Sequence, residues 1–226
     1  MDLLLIRHGH CVGQTESADV SDHDCELTDL GHEQARCLAS ALTVFPGGAP
    51  TTVLSSPLVR ALDTAAPLAS ALDLPVQVRA DLREAQPHRG QRGQGRRALT
   101  TRHPNLDFDA SVGPEGWDHG DADYASLIAR VSGVLVRLRQ EFSGTDRVAV
   151  VTHGALASLL LAEALGIDPA WPSWFTLDNA SVSVVRFPVP HRAGFGMFPP
   201  HRVQVLMVNS TDYLPVKLRT PDPLEE

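Results

Sequence analysis

The chain has 226 residues, 43% hydrophobic and 20% charged, an ordinary balance for a globular protein that buries one large α/β core. Its 19 basic and 27 acidic side chains give a net charge of −8, which disfavours a nucleic-acid partner unless the basic residues are gathered in one place. Cys11, Cys25 and Cys37 are too few for a disulfide scaffold, no basic leader precedes the first apolar run, and no run approaches the ~20 apolar residues of a membrane span, so a cytoplasmic setting is expected.

Residues 3–6, Leu-Leu-Leu-Ile, are a short unbroken apolar run, the pattern of a strand covered on both faces of a parallel sheet. The run breaks at Arg7-His8-Gly9, placing a guanidinium and an imidazole at a strand's carboxyl end, where open α/β sheets collect ligands. The forked donors of Arg7 and the ring of His8 suit an anion such as phosphate, and Gly9 lets backbone approach a ligand closely. A solvated strand end would carry the same three residues, so the motif alone decides nothing. His10, Cys11, Asp22, His23, Asp24 and Cys25 follow in a polar loop, but their spacing matches no usual zinc pattern.

Thr28 reads as an N-cap for a helix to about Leu42, with Ala35, Leu38, Ala39 and Leu42 on one buried face. A strand is expected at residues 52–55. Ser56-Pro57 then reads as the cap and first residue of a helix to about Leu72, with Arg60 in its first turn and able to reach back toward Arg7 and His8. A further strand at residues 76–78 leads to Glu84, a carboxylate beyond a strand end and a candidate proton donor or acceptor. Residues 88–97 hold four arginines and three glycines, and Arg89 and Arg92 are candidates to line an anionic pocket. The same stretch would serve as a solvated insertion or as a contact for nucleic-acid backbone, although no aromatic residue interleaves it for stacking.

Residues 104–121 are acidic and turn-rich with Trp117 as their apolar anchor, and a long amphipathic helix is expected over residues 122–142. Residues 148–151, Val-Ala-Val-Val, then run into Thr152-His153-Gly154 and repeat the layout of the first strand. Two buried strands, each ending in His-Gly, are hard to dismiss as coincidence. A small-residue helix to Leu165 follows, then an alternating strand at residues 179–187 paired antiparallel with residues 203–208. The tail from Pro215 to Glu226 is expected to be flexible or loosely docked, and no linker divides residues 1–226.

In this order, Arg7-His8-Gly9, Thr28 with Gly31, Ser56-Pro57 with Arg60, Glu84, and Val151-Thr152-His153-Gly154 resemble the histidine phosphatase superfamily. Asp63-Thr64-Ala65 and Asn179-Ala180-Ser181-Val182 are also similar to family sequence. The resemblance implies a three-layer αβα sandwich of phosphoglycerate mutase-like fold, mostly parallel with an antiparallel edge strand. It implies His8 as nucleophile, Arg7, Arg60 and His153 as the clamp on the phosphoryl oxygens, and Glu84 as the acid and then the base. Gly9, Gln14 and Gly154 would line the substrate with Arg89 and Arg92, residues 85–121 would be a substrate-side insertion, and no metal or cofactor is called for. His10-Cys11 stands where many members carry Glu followed by Thr or Ser, and Gln14 where many carry Asn. Ala85-Gln86-Pro87-His88 replaces the Arg-Tyr-Gly type of stretch of true mutases, which favours hydrolysis over phosphoryl return. A metal-independent phosphomonoesterase acting on a small phosphorylated metabolite is therefore expected. A mutase is the alternative, with a weakly catalytic anion- or RNA-binding protein third. Oligomeric state is not readable, a homodimer being among the options.

Overall fold

The computed structural model of the protein describes residues 1–15, 24–86, 90, 92–118, 120–168, 175–187 and 203–220. Arg89, Asp22 and His23, all singled out above, lie outside the described residues, as does the tail beyond Thr220. The elements in chain order are β1 (Asp2–Arg7), α1 (Asp29–Thr43), β2 (Thr52–Ser55), α2 (Val59–Ala71), β3 (Val76–Val78), β4 (Arg92–Gly93) and α3 (Arg96–Arg102). They continue with β5 (Leu106–Phe108), β6 (Trp117–Asp118), α4 (Tyr124–Glu141), β7 (Arg147–Thr152), α5 (Gly154–Leu165), β8 (Val182–Arg186) and β9 (Gln204–Ser210).

Among the described residues the central sheet has seven strands in the order β5-β3-β2-β7-β1-β8-β9. Leu3, Leu4, Leu5 and Ile6 are all buried, and at roughly 1.5–3 kcal/mol per such side chain removed from water, β1 belongs in the middle of the sheet. Alternate β1 residues serve opposite faces. Leu4 and Ile6 pack with α1 and α2, whereas Leu3 and Leu5 pack with α4 and α5, which makes three layers. β1, β7, β2, β3 and β5 run parallel; β8 alone runs the other way, and β9, antiparallel to β8, closes that side, so the sheet is mostly parallel with an antiparallel edge, as expected. The register pairs Arg7 with Thr152 and Ser55 with Val151 and Val78, bringing the carboxyl ends of four strands to one edge.

Thr28 caps α1 as expected, its hydroxyl accepting from Gly31 N at 3.2 Å. The start of α2 differs from the reading of Ser56-Pro57 as cap and first residue. The helix begins at Val59, and Val59 N donates at 2.6 Å to the carboxylate of Asp24, a cap from a distant loop. The Arg/Gly-rich stretch and its acidic neighbour also carry more structure than expected. α3 buries Leu99, β5 adds an edge strand to the central sheet, and β4 pairs with β6, bringing Gly93 opposite buried Trp117. The last described residues are docked rather than loose: Leu218 is buried, and its carbonyl accepts from Gln34 Nε2 at 2.7 Å.

Candidate active site

β1, β7 and β2 end side by side and deliver His8, His153 and Ser56 to one place, while α2 turns Arg60 back over them. His8 is buried, and its ring partners leave one tautomer. Its Nδ1 lies 2.7 Å from the Gly9 carbonyl, which can only accept; its Nε2 receives Arg60 Nε–H at 3.1 Å, and a guanidinium can only donate. The proton therefore sits on Nδ1 and the lone pair on Nε2. Burial, then the cations of Arg60 and Arg7, hold the His8 pKa well below its ordinary value.

His153 lies edge-on to His8 with ring centroids 5.1 Å apart. Its Nε2 is 2.8 Å from Ser56 Oγ, and its buried Nδ1 has no partner among the described residues. Burial, then Arg60 and His8, also hold its pKa well below the ordinary value. Arg7 is buried and donates to the Leu177 carbonyl, and its guanidinium packs against Gly154. Glu84 is half-buried, with Oε1 accepting from Ala85 N at 2.7 Å and from Leu156 N at 3.1 Å. Leu156 lies in the first turn of α5, so the carboxylate rests on that helix N-terminus, beside His153.

Gln14 and Asn179 form a reciprocal amide pair, Asn179 Nδ2 to Gln14 Oε1 at 3.0 Å and Gln14 Nε2 to Asn179 Oδ1 at 3.2 Å. Asn179 Nδ2 also donates to the His8 carbonyl at 3.2 Å, so Gln14 braces the His8 loop through Asn179. A Cβ on Gly9 would come 2.8 Å from the Gly31 carbonyl, so the packing of the β1 loop on α1 also requires glycine there. Arg92 is exposed on β4, opposite Asp118, and is not brought together with His8 and His153. Arg96 and Arg102 of the same stretch are taken up structurally, Arg96 by the Val112 and Asp109 carbonyls and Arg102 by a two-pronged pair with Asp63. Among the described residues no three His, Cys, Asp or Glu side chains gather as metal ligands.

The family profile of the histidine phosphatase superfamily (branch 1) matches residues 3–192. The chain belongs to that superfamily. Glucosyl-3-phosphoglycerate phosphatase of Mycobacterium tuberculosis is 33% identical over 194 residues, covering 79% of this chain and 82% of the relative. The adenosylcobalamin/alpha-ribazole phosphatase of Escherichia coli is 30% identical over 190 residues, covering 82% and 89%. The solved structure of the mycobacterial glucosyl-3-phosphoglycerate phosphatase with VO3 superposes with a TM-score of 0.63 at 27% identity, over 93% of this chain and 99% of that one. These relatives are phosphatases of small phosphorylated metabolites, and the mostly parallel sheet with antiparallel strands at one side is the fold this histidine phosphatase shares with them.

Several groups at this histidine phosphatase site escape a reading along the chain. Thr64 receives Gly9 N at 3.0 Å and donates to the Arg60 carbonyl at 2.7 Å, tying the His8 loop to α2. Its signal was the family-like Asp63-Thr64-Ala65, as that of Asn179 was Asn179-Ala180-Ser181. Thr220, which donates to Asn179 Oδ1 at 3.0 Å, carried none.

Proposed function

We propose that the chain hydrolyses phosphomonoesters of small, polar metabolites through a phosphohistidine on His8 Nε2. The observation that carries this reading is the fixed tautomer of His8: a lone pair on Nε2 facing the Arg60 guanidinium, in a ring that burial and two arginines keep neutral. The incoming phosphoryl group takes the place of His8 Nε2 as acceptor for Arg60, with Arg7 and the Nδ1 side of His153 facing its other oxygens. Nε2 forms the bond to phosphorus as the ester P–O bond breaks, and Glu84 gives its proton to the departing alkoxide. The carboxylate so formed accepts a proton from water, whose oxygen displaces His8 and releases inorganic phosphate.

The named activities of the relatives support water rather than a second hydroxyl as acceptor, and a phosphorylated sugar derivative as substrate class. Gln14 would then reach the substrate only from its brace with Asn179. The thiols of Cys11, Cys25 and Cys37 support a reducing compartment, and no helix among the described residues is long and apolar enough to cross a membrane.

The test is a phosphatase assay on p-nitrophenyl phosphate and a sugar-phosphate panel, with rapid acid-free quenching to trap labelled enzyme. The parent should carry label on histidine, stable to alkali and lost in acid. His8→Ala should carry none and lose several orders of magnitude in kcat. Parent-like turnover by His8→Ala would refute the mechanism.

A further inference from the structure

Glu84 stands in a loop outside the sheet and the helices. Residues 83–86 are irregular, and a carboxyl that must hand over a proton at the right moment needs a fixed backbone. The anchor comes from α4. Arg130 is almost fully buried, and its guanidinium spends all five N–H groups. Nη1 donates to the carbonyls of Asp81 at 2.8 Å and Arg83 at 2.9 Å; Nη2 donates to the Glu84 carbonyl at 3.3 Å and to Asp121 Oδ2 at 2.6 Å; Nε donates to Asp121 Oδ1 at 2.8 Å. Asp121, equally buried, completes the clamp. Its N–H donates to the Gln86 carbonyl at 2.6 Å, and its carboxylate also receives Arg83 Nη2 at 3.2 Å.

We propose that Arg130, oriented by Asp121, is a positioning residue for Glu84, fixing the backbone of the acid while the N-terminus of α5 fixes its carboxyl. The proposal rests on the reading of Glu84 as the group that protonates the leaving oxygen. Three features favour it over a purely stabilising role. A buried ion pair is a poor source of stability, since well-packed apolar residues often do as well. The carbonyls it collects belong to the acid's own loop, at Asp81, Arg83 and Glu84, rather than to a neighbouring element. The planar fork is also saturated, a geometry that lysine, with three donors on one nitrogen, cannot reproduce.

The experiment is a leaving-group series. Parent, Arg130→Lys, Arg130→Met, Asp121→Asn and Glu84→Gln are compared by kcat/KM, which reports phosphoryl transfer to His8, on 2,4-dinitrophenyl, p-nitrophenyl, phenyl and glycerol phosphates. Melting temperatures are measured in parallel. A dinitrophenolate leaves without a proton, so the Arg130 and Asp121 variants should fall by no more than about threefold there. On glycerol phosphate, which needs the proton, they should fall by about a hundredfold, within the usual range for loss of general acid catalysis. Glu84→Gln should tilt the same way and more steeply. Equal losses on all four esters in the Arg130 and Asp121 variants, with Glu84→Gln tilted, would overturn the positioning role and leave the acid in place. A flat profile for Glu84→Gln would overturn the assignment of the acid itself, and the proposal with it. Should Arg130→Met fail to fold, Arg130→Lys and Asp121→Asn give the same reading.

Discussion

At the scale of single residues, the site depends on keeping two imidazoles neutral within a cluster of arginines. Desolvation is the larger cause at His8 and His153, and the cations add to it, because each disfavours a second positive charge. Both folded pKa values are depressed below the ordinary 6.5, so these rings take up protons more readily when the chain is unfolded. Their contribution to stability is thus complete above about 6.5 and is lost as pH falls toward the depressed values. His153→Gln removes one such group and should lose less stability than the parent between pH 7.5 and 5.5, followed by thermal melts. Nitrogen NMR at pH 6 gives the direct check: His8 should appear as the neutral ring protonated on Nδ1, and a cationic His8 resonance at that pH would contradict the assignment. His10 responds in the same sense but less, being only half withdrawn from water and set beside Arg7.

At the scale of elements, α2, which carries Arg60, has its first turn secured by a side chain 35 residues earlier. Asp24 Oδ1 accepts Val59 N and Oδ2 accepts Gln94 Nε2 at 3.0 Å, so one carboxylate ties the β1 loop, α2 and the Arg/Gly-rich stretch. Asp24→Ala should cost about 1 kcal/mol of stability, the usual value of a lost cap. Because Arg60 follows Val59 directly, KM should rise severalfold as well, with Asn at position 24 restoring most of both. Unchanged melting and kinetics in Asp24→Ala would show that the cap is idle. The same helix shows where a reading along the chain stops. Thr28 was legible as a cap because its partner, Gly31, is three residues away, and the two His-Gly strands were legible because buried strands write themselves as apolar runs. Ser56-Pro57 imitates a helix start, but the Ser56 hydroxyl is shared between Leu58 N at 3.3 Å and His153, and Val59 N, at the first helical residue, is taken by distant Asp24. β5 and α3 stayed hidden because short edge elements bury little: Leu99 is the one core residue that α3 supplies. The Arg130–Asp121 clamp joins residues whose roles no local spacing expresses.

At the scale of the whole molecule, the far end of the chain closes over its beginning. Gln34 on α1 receives His10 N at 2.7 Å on its oxygen and gives its amide protons to the Leu218 carbonyl and to Thr220 Oγ1. Thr220 in turn donates to Asn179, which holds the His8 carbonyl and pairs with Gln14. The His8 loop is thereby braced by Gln34, 24 residues from His10, and by Asn179, 171 residues from His8, with Thr220 behind both. Deletion of residues 217–226 removes both partners of the buried Gln34 amide nitrogen, leaving it unpaired unless water enters, and leaves Asn179 Oδ1 with Gln14 alone. At about 1 kcal/mol for each hydrogen bond lost, the truncated chain should melt lower by several degrees. A shift of the His8 loop by a fraction of an ångström should lower kcat/KM on p-nitrophenyl phosphate by about tenfold or more. Thr220→Val, which takes only the hydroxyl, should lose a smaller part of kcat/KM and little stability. Steady-state kinetics on the three proteins decide the matter: a truncated chain with parental kcat/KM would mean that the docked end serves packing alone and that Asn179 holds the loop unaided.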